Sequence, residues 1–243
     1  APAAVVLVEG RAMGSPLRLT TVGADGGEAW ETVAAIFEAA EQAMSRFRPS
    51  SDLVRLAKAA GSGQPLPVDR RLVRAVVIAD RARRVTGGRF DPRIVRDLER
   101  LGDRGIPLTG RSAPAPRASG DRIVAAWERG HAIALHDPID LGGIGKGLAL
   151  RWAARGLHRA GIGRFLLDAG GDLVAGGQAP DGGPWRIGIE DPRGGDGPLV
   201  VVALETGALA TSSIRRRQWL ADGRVVHHLI DPRTGEPADG GLR

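Results

Sequence analysis

Apolar and polar positions set the first expectations. Residues 4–8 are an unbroken apolar run, and residues 17–22 (Leu-Arg-Leu-Thr-Thr-Val) alternate, so both read as strands. Between them, Gly14 and Pro16 mark residues 11–16 as a turn. From Gly27 the period lengthens: Trp30, Val33, Phe37, Ala40 and Met44 recur at three- and four-residue steps, one face of a long helix. Ser51 and Asp52 cap a second helix that stops at Gly61. Asp69 caps a third, with an apolar stripe of Leu72, Val73, Val76, Ala79 and Val85 and an end at Gly87-Gly88. Residues 107–121, dense in Pro, Ser and Gly, read as a surface loop. Beyond it, short β segments are expected at 122–126, 131–135, 164–168, 172–176, 185–190, 199–204 and 224–230, with one helix from Lys146 to about Ala160. The pattern predicts one α+β domain over 1–243, with a helical half 1–106, the loop 107–121 and a β-rich half 122–243.

Composition narrows the classes. With 42% hydrophobic and 26% charged residues in 243, the chain is long and apolar enough for a core, which excludes disorder. The net charge of +6 is carried almost wholly by arginine, since Lys58 and Lys146 are the lysines. A nucleic-acid surface would need aromatics among its basic residues, but aromatics are 4% and acids lie between the arginines. The one triple-basic run, Arg215-Arg216-Arg217, therefore reads as a solvated strand face. The absence of cysteine excludes disulfides, thiolate metal sites and a cysteine nucleophile, and leaves the compartment open. No apolar run approaches the roughly 18 residues that span a bilayer. The start at Ala1-Pro2 rather than Met reads as a processed or trimmed product.

Candidate chemistry gathers in a few glycine-rich segments. Asp140-Leu-Gly-Gly-Ile-Gly-Lys-Gly147 opens into the predicted helix; such a turn lets a ligand approach backbone closely, a helix N-terminus favours an anion, and Lys146 adds a full charge. A plain helix-capping turn explains it equally well, and the P-loop spacing is absent. Gly170-Gly171-Asp172 lies between two apolar strands, either at a ligand or as a simple hairpin turn. Asp91, before Pro92, is held in extended geometry, either aimed at a site or closing a helix. His227 and His228 face opposite sides of the predicted strand that leads to Asp231 and Pro232, so a paired-histidine zinc site is disfavoured. The hydroxyls around Thr211 either bind phosphate or cap an element.

These segments, taken in order, resemble the FAD:protein FMN transferase family, also called the ApbE family. The first matching stretches are Ala12-Met13-Gly14-Ser15, Met44-Ser45-Arg46-Phe47 with Ser51-Asp52-Leu53 and Leu56, and Thr86-Gly-Gly-Arg-Phe-Asp-Pro92. Asp140 to Gly147, Gly170-Gly171-Asp172, Trp185 to Pro192, Ala210-Thr211-Ser212 and His228 to Gly235 follow. The resemblance implies an α+β, T-fold-like arrangement of sheets flanked by helices. It further implies a magnesium-dependent enzyme that moves FMN from FAD to a threonine or serine hydroxyl of a partner flavoprotein and releases AMP. Hydrolysis of FAD to FMN and AMP, or FAD binding without catalysis, are the alternatives. By the same resemblance Met13, Phe47, Arg89, Phe90, Asp91, Asp140, Lys146, Gly170, Gly171, Asp172 and Thr211 would hold FAD. Gly143 would offer a backbone carbonyl to Mg²⁺, and His228 would take the catalytic role, with Asp231 and Thr234 shaping the turn beneath it. The expected setting is periplasmic or otherwise extracytoplasmic, with membrane attachment only through an N-terminal anchor. Two departures accompany the likeness. Phe47 stands where the family has a tyrosine-like position, which keeps a ring and loses a phenol. The family's C-terminal Ala-Asp-x-x-x-Thr-like pair of metal ligands has no counterpart, Asp239 lying too close to the turn, so the expectation is either a C-terminally truncated fragment or a protein that binds metal weakly.

Overall fold

A computed structural model describes residues 3–109, 122–128, 131–192, 194–215 and 217–239. Most of the predicted loop (110–121), Arg216 of the triple-basic run and residues 240–243 lie outside that set. In chain order the elements are β1 (Val5–Ala12), β2 (Ser15–Val22), α1 (Gly26–Met44), α2 (Asp52–Lys58), β3 (Leu66–Pro67), α3 (Arg70–Val85) and α4 (Val95–Arg100). There follow β4 (Val124–Glu128), β5 (Ala132–Leu135), α5 (Gly142–Arg159), β6 (Phe165–Ala169), β7 (Asp172–Gly176), β8 (Trp185–Glu190), β9 (Pro198–Leu204), β10 (Gly207–Leu209), β11 (Gln218–Ala221) and β12 (Arg224–His227). The mixture of helix and sheet is the expected α+β class. It folds as two compact units, one from residues up to Ala39 with Lys146–Ser212, the other from Ala40–Gly145 with the residues from Ser213 on.

The first unit is built on an antiparallel sheet ordered β1-β2-β6-β7-β10. Leu17, Leu19 and Thr21 of β2 are fully buried, as are Phe165, Leu167 and Ala169 of β6. The register Leu17↔Ala169, Leu19↔Leu167 and Thr21↔Phe165 puts both sets on one face. That pairing crosses the expected division into a helical and a β-rich half, because β2 can bury its alternating face only against strands from late in the chain. The turn expected at 11–16 is also shorter: both strands run on until only Met13 and Gly14 remain between them. A Cβ on Gly156 of α5 would come 2.7 Å from Ile36 Cδ1 of α1, so this glycine allows the two helices to approach closely. Trp185 and Ile187 of β8 join Val22, Leu173 and Ala175 in a second apolar cluster.

The second unit carries α2, α3, α4, a small sheet ordered β3-β5-β4 and the β11–β12 hairpin. Both predicted caps form: Ser51 Oγ accepts from the Val54 N–H at 3.1 Å, and Asp69 Oδ1 from the Arg71 N–H at 2.7 Å. The α3 stripe is buried except for Val85, 73% exposed in the last turn before Gly87 and Gly88 close the helix at positive φ. The strand expected over 224–230 ends at His227; Ile230 returns only as a single bridge to Pro237. His228 therefore stands outside the strand, and the strand alternation read for His227 and His228 does not apply to it. The six-residue α4, too short for a periodic signal, packs Leu98 and Leu101 against Val226 and Ile230. No described helix is long and apolar enough to cross a membrane.

The glycine segment at 140–147 differs most from expectation. It is not a loop ahead of a helix: α5 begins at Gly142 and contains the glycines. Glycine is a poor helix former, but Asp140 Oδ1 accepts from the Gly142 N–H at 2.7 Å, and the Leu141 carbonyl takes the N–H groups of Ile144 and Gly145. Those bonds and the burial of Leu141, Gly145 and Leu148 hold the first turns in place.

Candidate active site

In the first unit, pairing of β2 with β6 brings two hairpin turns to one end of the sheet. Met13 (φ +49) and Gly14 (φ +70) form one; Gly170 (φ +67) and Gly171 (φ +97) form the other. Gly170 lies so close to Ser15 that a Cβ would stand 2.7 Å from the serine Cβ. The Gly171 N–H donates to Asp168 Oδ1 at 2.8 Å. Asp172, the first residue of β7, meets Lys146 Nζ at 3.1 Å, and its other carboxylate oxygen accepts from the Thr211 N–H at 3.3 Å. Met13, Gly170, Gly171, Asp172, Lys146 and Thr211 thus gather at this end of one sheet. Thr211 reaches Asp172 through its backbone N–H, which leaves the hydroxyl out of that bond.

In the second unit the residues after α1 place a buried guanidinium beside an exposed ring. Ser51 Oγ donates to the Ser45 carbonyl at 2.6 Å and fixes the turn that carries Arg46 and Phe47. Arg46 donates through Nε to Asp140 Oδ2 at 2.8 Å and through Nη2 to Asp103. Asp103 also pairs with Arg217. The guanidinium carbons of Arg46 and Arg217 stand 5.2 and 5.4 Å from the Phe47 ring centroid, within cation–π range. Phe47 itself is 53% exposed, so an apolar ring is presented with its position held by two cations. Arg217 is therefore no solvated strand residue: it lies before β11 and is held by a buried carboxylate.

His228 stands in the same unit with Nδ1 3.4 Å from the Arg217 carbonyl. A carbonyl only accepts, so the proton belongs on Nδ1 and the Nε2 lone pair is left for other work. Burial disfavours the imidazolium, and the charges of Arg217 and His227 add to that; the Arg217 carbonyl and Asp140 oppose them. The outcome is a pKa below the ordinary 6.5, hence a neutral ring at neutral pH. For Asp103, burial works against the carboxylate, but Arg46 and Arg217 outweigh it and hold its pKa below 3.8.

The segment after α3 is tied locally. Asp91 faces Arg93, at 2.8 Å, and Arg83, at 3.1 Å, and these hydrogen bonds outweigh burial to hold its pKa below 3.8. Its Oδ1 also accepts from the Arg93 N–H at 3.0 Å and so shapes the turn. Phe90 is fixed by its N–H on Thr86 Oγ1 at 3.0 Å, and its ring edge lies against Gly143, where a Cβ would come to 3.0 Å. The Asp140 N–H donates to the Pro92 carbonyl at 2.7 Å, which joins this segment to the start of α5. Arg89 is exposed.

Residues 13–243 match the family model described as "ApbE family". The chain belongs to the ApbE family. The FAD:protein FMN transferase of Salmonella typhimurium is 30% identical over 256 residues, covering 99% of this chain and 73% of that protein. The FAD:protein FMN transferase of Klebsiella pneumoniae is 29% identical, covering 95% of this chain and 70% of its own. Among solved structures, the ApbE protein of Thermotoga maritima superposes with a TM-score of 0.82 at 26% identity, covering 98% of this chain and 79% of that one. The flavin transferase ApbE of Vibrio cholerae gives 0.80 at 25%, with the same coverage.

An ApbE chain is expected to meet magnesium, and the donor set tests that. A hard cation takes about six oxygens. Among the described residues no three His, Asp or Glu side chains converge on a point where a metal would sit. Gly143 contributes at most one carbonyl from the first turn of α5, and both oxygens of Asp140 are engaged by Gly142 and Arg46. These residues do not by themselves make a resident metal site. Sequence reasoning also passed over Arg46 as a buried organiser, Asp103 and Arg217. The signals available were a Leu101-Gly102-Asp103 helix stop and an arginine between Ser45 and Phe47, neither of which names its distant partner.

Proposed function

We propose that this chain is an FAD:protein FMN transferase that moves FMN from FAD to a threonine or serine hydroxyl of a partner flavoprotein and releases AMP. The observation that carries the reading is family membership across residues 13–243, in company with relatives that bear that activity in their names. The local geometry is consistent with it. In the reaction the acceptor oxygen bonds to the FMN phosphorus, the bond from that phosphorus to the bridging oxygen breaks, and AMP leaves with the electron pair. The hydroxyl proton goes to Nε2 of His228, which a neutral ring protonated on Nδ1 has free. By the family resemblance Lys146, paired with Asp172 at 3.1 Å, is the cation expected at the diphosphate. Phe47 supplies a ring on which a flavin can stack. Magnesium is taken to arrive with the diphosphate as part of the substrate, since the described side chains do not cage it.

Incubation of the purified chain with FAD, Mg²⁺ and a flavoprotein carrying an acceptor threonine tests the reading. Covalent flavin fluorescence on the acceptor and AMP in equal amount are expected. AMP and free FMN without labelled acceptor would assign hydrolysis instead, and FAD binding with no AMP would assign a binding module.

A further inference from the structure

The end of α4 delivers one buried acid to an unusual place. Gly102 takes φ +84; its N–H donates to the Glu99 carbonyl at 3.0 Å and the Asp103 N–H to the Leu98 carbonyl at 2.9 Å. This paired closure is the Schellman pattern, and it fixes the direction in which Asp103 leaves the helix. Trp219 Nε1 ties the same stretch to β11 by donating to the Leu101 carbonyl at 2.5 Å. Beyond Asp103, a Cβ on Gly105 would overlap the Arg46 guanidinium, so glycine there admits the arginine. The Asp103 side chain is 3% exposed and that of Arg46 1% exposed. Arg217 differs: it is 39% exposed and lies in an irregular segment ahead of β11, and its guanidinium is moored to Asp103. Arg217 is also the residue whose carbonyl meets His228 Nδ1.

We propose that Asp103 is a positioning residue for His228 that acts through Arg217. By mooring the Arg217 guanidinium, Asp103 holds the Arg217 carbonyl where it accepts a hydrogen bond from Nδ1–H, and so keeps the imidazole in the tautomer with Nε2 open. The same mooring keeps Arg217 beside Phe47, so one carboxylate sets both a ring and a proton acceptor. A buried ion-pair cluster of this kind contributes little net stability compared with apolar side chains of equal volume, and orientation is the better account of its presence. The assignment rests on the transferase reading for its effect on turnover, but not for its effect on the imidazole.

Two variants, Asp103→Asn and Arg217→Gln, test it, with nitrogen NMR of the His228 ring and FMN-transfer kinetics as readouts. The His228 signals are identified by their loss in His228→Gln. Wild type is expected to show one tautomer, protonated on Nδ1, and each variant a mixture of tautomers. Turnover should fall roughly ten- to hundredfold in each, the scale of a misplaced catalytic group. The double variant should be no slower than the worse single one, since both break the same chain of contacts. Should Asp103→Asn fail to fold, Arg217→Gln at its half-exposed site carries the test alone. A single unchanged tautomer in folded Arg217→Gln, or turnover within twofold of wild type, overturns the proposal. Absence of transfer in wild type with the tautomer shift intact would instead count against the transferase reading.

Discussion

At the candidate site, Met13 holds a strained backbone conformation and His228 a fixed protonation state and tautomer. Met13 occupies φ +49 in a two-residue turn where asparagine or glycine is the comfortable choice. A side chain in the left-handed region costs on the order of 1 kcal/mol, and such strain collects at functional sites. Met13→Asn should therefore stabilise the chain by up to about 1 kcal/mol while weakening FAD binding. Urea unfolding and flavin-fluorescence titration check the two halves, and an unchanged affinity would place Met13 outside the site. His228 is the other: buried, neutral and with Nδ1 turned to a carbonyl. Its replacement in His228→Ala should reduce FMN transfer by about 10²- to 10⁴-fold, the usual contribution of a general base. FAD binding by quenching should remain near that of wild type.

The elements that local rules govern were legible in the sequence, and those made by distant partners were not. Ser51 and Asp69 read as caps because a cap involves residues two or three positions away. Gly170-Gly171 read as a hairpin turn for the same reason. Ser51 does more than cap, since its hydroxyl also donates to the Ser45 carbonyl behind Phe47. Ser51→Ala should cost about 1–3 kcal/mol, a lost cap together with a half-buried carbonyl deprived of its Ser51 donor. A lower urea midpoint with unchanged slope is the expected record. By contrast, Asp103 lies 57 positions from Arg46 and 114 from Arg217, so no spacing announces their cluster. The glycines at 142–147 read as loop because propensity is a local average, whereas α5 owes its first turns to Asp140 and to burial. The resemblance to the ApbE family named candidate residues in both units; the ion pairs that tie Arg46, Asp103 and Arg217 together came only from the fold.

At the scale of the whole molecule, the shifted groups separate loss of activity from loss of fold along the pH axis. His228 has a folded pKa below 6.5, so protonation favours the unfolded chain as pH falls from 6.5 toward the folded value. Its use as a proton acceptor disappears over that folded value. Asp91 and Asp103 have folded pKa values below 3.8, so the stability they contribute is fully present above 3.8 and drains away only as pH falls through their lowered values. One histidine can cost only part of the stability margin, while the arginine-bound carboxylates remain ionised. Transfer should therefore decline along an acid limb whose midpoint lies below 6.5, while near-ultraviolet circular dichroism stays native until the carboxylates protonate. Within that interval the loss should reverse on return to pH 7.5. The residual activity of His228→Ala should lack the acid limb, with the same acid unfolding. If activity and dichroism fall together near pH 4 in wild type, the proton acceptor is not His228, and the neutral imidazole beside Arg217 is part of the packing alone.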